Sequence, residues 1–312
     1  MSSTTLPANG VRWIAGIAIG LLALAMPLAG DARVVSSTSS SYGAMIGLDL
    51  VRSMLLPGGD RGVTHQLVSS GPLPHAFGTA PPAYEVSASL PSTSLSVDFA
   101  TTLAAGRFLD VGTGELRALA HGRDGVDGGD FSQSAGTAFA LRLAFFTDHL
   151  VLNADLVSSG ATAGGDFGAL YTGGVTLLRG GHIDPIPGFG RNLPRDPAMN
   201  TAVDLFGRFG LEGVSLVLNE QIVYGDGVSM AGISVNGIHL HFENFVVDPS
   251  PEDSLVLNGD VIFGHAQAEI RAEPDLVIGE PSTLALLACA LCAVAAPLRR
   301  RSPVGTAAPR DE

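Results

Sequence analysis

The chain has 312 residues, of which 46% are hydrophobic and only 15% charged, and it carries 40 glycines. Its formal charge is −13 and every one of its 17 basic residues is an arginine. That excludes phosphate-binding loops and pyridoxal chemistry, which need a lysine, and a polyanion such as nucleic acid is repelled by such a field.

At the start, residues 1–12 are polar with Arg12 their only charge, and an apolar run from Trp13 to Met26 follows. A basic flank, an apolar core and the small residues Pro27 to Ala32 make a secretory signal peptide over 1–32. Cleavage is expected after Ala32, with Ala29 or Gly30 as alternatives, and an uncleaved signal anchor as the competing reading.

From Tyr42 onward the pattern is strand-like. Tyr84, Val86, Ala88 and Leu90 alternate with Glu85, Ser87 and Ser89, and Leu95, Val97 and Phe99 repeat this against Ser96 and Asp98. Period-two alternation marks strands with one buried and one wet face, as in antiparallel sheets. Further strands are expected near 44–55, 107–119, 135–146, 149–157, 168–178, 202–210, 213–224, 228–247 and 254–271. Gly, Asp and Pro clusters mark turns at 57–60, 123–130, 185–190 and 225–227, the last closing a hairpin. Two long Pro/Gly-rich loops are expected at 57–83 and 183–200. The fold class is therefore all-β, an antiparallel β-sandwich or jelly-roll-like single domain over 33–278, with a β-solenoid as the alternative. Helices are expected only in the two apolar end segments.

The chain ends with Glu280-Pro281-Ser282-Thr283, an apolar run to Leu298, the cluster Arg299-Arg300-Arg301 and a short tail, 302–312. As a helix, 283–298 spans about 24 Å, short of a ~30 Å hydrocarbon core. Three arginines behind it stop transfer and hold that side in the cytoplasm. Both cysteines, Cys289 and Cys292, fall in this run. The body between the ends then has no thiol, and its stability must come from buried apolar strand faces.

Residues 279–301 resemble the PEP-CTERM sorting signal of Gram-negative bacteria, with Glu280 and Pro281 at its start and Arg299, Arg300 and Arg301 at its close. The resemblance implies an exosortase, an integral-membrane cysteine protease, as partner. It also implies transient anchoring in the inner membrane, delivery to the outer surface or beyond, and association with exopolysaccharide. An ordinary C-terminal membrane helix is the competing reading. The stretch between the ends is similar to a family of exported proteins called choice-of-anchor P. The matching segments are Ser41–Gly43, Thr79–Tyr84, Gly165–Leu170, Leu216–Gln221, Val235–His239 and Asn258–Ala268. That resemblance implies an exported domain with no catalytic residues to carry over.

Two constellations in the body suit metal ions. His239, His241 and Glu243 stand at i, i+2 and i+4 on one strand face, a pattern able to hold zinc or iron. The apolar parity switches near Gly237, where a bulge is expected. Asp124, Asp127 and Asp130 in a Gly-rich loop offer hard oxygens for Ca²⁺. Each has a plain alternative: a wet polar face for the first, a solvated turn for the second. No GxSxG, HExxH or strand-following GxGxxG motif is present. The sequence therefore points to an exported, non-enzymatic surface or matrix protein. A glycan- or calcium-binding module is the alternative, and a hydrolase ranks last.

Overall fold

The computed structural model describes residues 33–100, 105–123, 130–145, 150–184, 188–205, 212–248 and 253–274. Among them the chain is all-β. Every strand pair is antiparallel, and neither sheet closes into a barrel. A β-solenoid stacks its strands in parallel coils, so that alternative does not fit. The sorting-signal residues Glu280, Pro281, Arg299, Arg300 and Arg301, the cleavage residue Ala32, and Asp124 and Asp127 lie outside the described residues. No helix among the described residues is long and apolar enough to cross a membrane.

The first sheet has seven strands. Its spine is β1 (Arg33–Leu55), β14 (Val214–Gly225), β15 (Met230–Asp248) and β16 (Asp253–Glu273). The order is β14-β15-β16-β1, with β13 (Thr201–Val203) outside β14. The far edge of β1 is shared by β2 (Arg61–Ser69) along one half and β3 (Leu73–Ala80) along the other. The second sheet has nine strands around β8 (Phe131–Phe145) and β9 (Leu150–Gly164). The β8 edge is shared by β6 (Ala105–Thr113) and β7 (Leu116–Arg123), which carry β5 (Thr93–Ala100) and β4 (Tyr84–Leu90) respectively. The β9 edge is shared by β10 (Tyr171–Arg179) and β11 (His182–Asp184), and β12 (Arg191–Asn192) follows β11.

Some sequence expectations need correction. The stretch 57–83 is no loop, because β2 and β3 occupy it. Both lean on one long strand, so their signal is weak: β2 exposes nearly every side chain, Leu67 at 78% among them. The expected strand 107–119 is two, split by a turn at Gly114 whose amide donates to the Phe139 carbonyl. The hairpin at Gly225–Gly227 forms as expected, pairing Gly225 with Ala231. Asp226 caps it by accepting from the Ser229 hydroxyl and from the amides of Met230, Val228 and Ser229, and these bonds hold its carboxyl far below the usual range. Local turns of this kind are set by a few adjacent residues.

The two sheets face each other across a core that changes character along its length. At one end it is built of large side chains: Phe145 meets Phe242 at 4.9 Å between centroids, among Leu109, Leu143, Leu152, Leu216, Leu240, Leu257 and Phe263. At the other end alanines predominate, Ala161, Ala163, Ala231, Ala266, Ala268 and Ala272, beside Val34, Ile233, Val235, Ile270 and buried serines. Here the sheets come close enough for hydroxyls to reach the opposite backbone. Ser134 donates to the Gln267 carbonyl at 2.8 Å, Ser132 to Thr38, and Ser41 to the Leu119 carbonyl at 2.8 Å.

A crease separates the ends. Along β15, Ala231, Ile233 and Val235 point inward, and past Gly237 the inward residues become Ile238, Leu240 and Phe242. The same change of parity runs through Gly43 on β1, Asn219 on β14 and Gly264 on β16, which line up across the sheet. No residue is inserted there: Asn236 pairs with His265 and Ile238 with Phe263 in unbroken register. The parity switch expected at Gly237 is therefore a row across four strands rather than a bulge in one. On β14 and β16, left-handed backbone at Asn219 (φ 50°) and Gly264 (φ 66°) makes the half-turn that rotates the strand by one side chain, a conformation open to Gly and tolerated by Asn.

Candidate functional site

Because parity flips at the crease, residues three apart on each strand both face outward, and polar groups gather there. The segments Ser41–Gly43, Leu216–Gln221, Val235–His239 and Asn258–Ala268 run side by side through this row. The outward groups are Glu220 on β14, Asn236, His239 and His241 on β15, Asp260 and His265 on β16, and Tyr42 on β1.

They form one hydrogen-bonded chain. Asn236 Nδ2 donates to Glu220 Oε2 at 2.7 Å, and the same oxygen accepts from His239 Nδ1 at 2.7 Å. The other face of that ring, Nε2, lies 2.8 Å from Asp260 Oδ1, and His241 Nδ1 reaches the same oxygen at 2.7 Å. Asn236 uses its amide nitrogen on Glu220, so its oxygen accepts from His265 Nδ1 at 2.6 Å. The His265 ring stacks on Tyr42 with centroids 4.3 Å apart.

The protonation states follow from these contacts. Burial works against a charge on His239, but hydrogen bonds to Glu220 and Asp260 outweigh it and raise its pKa. Glu220 is lowered chiefly by its bond to His239, against burial. For Asp260, burial pushes upward, and the bonds to His239 and His241 overcome it and bring it down. His265 differs. Burial, with His75 nearby, drops its pKa to about 4, so the ring is neutral at physiological pH. Burial also lifts the Tyr42 hydroxyl to about 12.

Of the residues singled out in the sequence, His239 and His241 do come together. The third member of the group is the acid Asp260, directly across from His241 in the β15–β16 register, and not Glu243. Glu243 is exposed and lies where the pairing slips between Phe242 and Phe245. Its amide donates to Gly213, and Asn244 beside it takes a left-handed φ of 52°. The break interrupts the alternation on which an i, i+2, i+4 reading relies. Asp260 lies 19 residues from His241 and carries no local signal, and strand pairing alone brings it in. Asp130, from the Gly-rich loop, is buried at the start of β8.

Within the cluster exposure rises outward, from His239 at 18% to His241 at 46%. A groove of about 450 Å³ lies on the other sheet, lined by Ser87, Ser89, Glu115, Arg117 and Thr137. It holds neither His239 nor His241. No protein-family model matches the chain, and no curated protein is significantly similar to it.

Proposed function

We propose that this is an exported, non-enzymatic protein of the cell surface or extracellular matrix. Its β-sandwich, with jelly-roll-like packing of two sheets, is delivered by the signal at 1–32 and sorted through the PEP-CTERM-like tail at 279–301. The observation that carries the reading is the pairing of β1 with β16 over their whole length, from Arg33 opposite Glu273 to Met54 opposite Asp253. The first and last strands are neighbours, so Arg33 and Glu273 lie at the same end of the body. A body flanked by two membrane-directed segments is in keeping with first and last strands that lie together. The absence of cysteine between the ends fits a domain that folds in an oxidising compartment without disulfides.

Mass spectrometry of the protein recovered from its native host tests the proposal. The expected product starts near residue 33 and ends near Glu280–Ser282, in the surface or medium fraction. An intact 312-residue chain in the soluble cytosol defeats it.

A further inference from the structure

We propose that His239, His241 and Asp260 form a binding site for a divalent transition-metal ion of the zinc class, with Glu220 as the residue that positions His239. The reading is independent of how the protein is sorted.

The donor set comes first. One donor atom each from His239, His241 and Asp260 lies within 4.8 Å of the other two. Two imidazoles and one carboxylate suit Zn²⁺ and its neighbours, whereas Ca²⁺ takes oxygen donors. Tetrahedral bonds of about 2.0–2.1 Å place donors roughly 3.3 Å apart. The two nitrogens stand 2.8 and 2.7 Å from Asp260 Oδ1, so each of these two separations has to lengthen by about half an ångström to admit an ion at this bond length. The Asp260 side chain is 40% exposed, which leaves it room to rotate.

Support from behind comes second. Metal-bound histidines as a rule donate their other ring nitrogen to a carboxylate or carbonyl, which fixes the tautomer and the ring plane. Glu220 Oε2 accepts from His239 Nδ1 at 2.7 Å and is itself held by Asn236. That bond turns Nε2 toward Asp260 and His241. The three donors sit on adjacent strands in continuous register, so the backbone frame is fixed before any ion arrives.

Access comes third. His241 is 46% exposed and His239 18%, so the inner ligand is shielded while the outer one faces solvent. An ion reaches the site directly, and a fourth coordination position is left for water or an oxygen ligand.

Titrating Zn²⁺ into the full chain in detergent, followed by calorimetry, is expected to show one tight site per chain. Asp260→Asn and His241→Ala are expected to weaken it at least tenfold. Glu220→Gln is expected to weaken it 10- to 100-fold while leaving all three donors in place. Glu243→Gln, outside the cluster, is expected to leave it unchanged. Co²⁺ on the unmutated chain gives a second readout that needs no variant: the visible absorption of a four-coordinate nitrogen–oxygen site. Absence of Zn²⁺ binding, binding undiminished in folded His241→Ala and Asp260→Asn, a preference for Ca²⁺ over Zn²⁺, or a purely six-coordinate aqueous Co²⁺ spectrum each overturns the assignment.

Discussion

The two ends of the interior solve one problem in opposite ways. The end around Phe145, Phe242 and Phe263 keeps the sheets apart with large side chains and gains its stability from apolar burial. The alanine- and serine-rich end lets the sheets touch, and there serine hydroxyls reach the opposing backbone. Burial of apolar area scales with side-chain size, so the second end contributes less hydrophobic energy per residue and depends more on fit. At the crease between them, a Cβ on Gly136 would come within 2.2 Å of the carbonyl oxygens of both Tyr42 and His265.

The contrast predicts different failures at the two ends. At the large end, Phe242→Ala leaves a cavity beside Phe145 and is expected to cost about 4 kcal/mol, read as a lowered denaturation midpoint with unchanged slope. At the crease, Gly136→Ala meets two backbone carbonyls that cannot step aside, and is expected to cost about 3 kcal/mol by overpacking. If that variant proves as stable as the original, the sheets are not in contact there.

The third prediction concerns pH. His265 is held neutral down to about 4, while an unfolded histidine takes up its proton near 6.5. Below about pH 6.5 the unfolded chain binds a proton that the folded chain refuses. Stability from this residue is therefore complete above that pH and is lost as pH falls toward 4, by roughly 3 kcal/mol at 1.36 kcal/mol per pKa unit. Melting curves of His265→Gln between pH 7 and pH 4 are expected to fall less steeply than those of the original chain. The smallest effect belongs to the alanine-rich end, where Ser134→Ala removes one buried bond to the Gln267 carbonyl. That change is expected to cost about 1 kcal/mol, visible as a small shift in chemical denaturation.

Much of the architecture was legible along the chain. Alternation at Tyr84–Leu90 and the Gly225–Gly227 turn identify a strand and a hairpin because both signals are local: a two-residue period and a turn chemistry held within a few residues. The switch of parity at Gly237 was legible too, since Val235 and Ile238 cannot share a face across a two-residue period. Strands β2 and β3 were hidden because Pro74 and the exposed side chains of β2 dilute the signal. They are strands because β1 offers them an edge. For the candidate site, His239 and His241 announced themselves by spacing, whereas Glu243 did so misleadingly.

By itself the sequence determined the class of structure and the placement of apolar and polar faces, because each follows from composition and short periods. Only tertiary structure decided that the parity switch is shared by four strands, that Asp260 and Glu220 flank His239, and that the first and last strands lie together. Those are relations between residues tens to hundreds of positions apart, and strand pairing, unlike alternation, leaves no mark within a single strand.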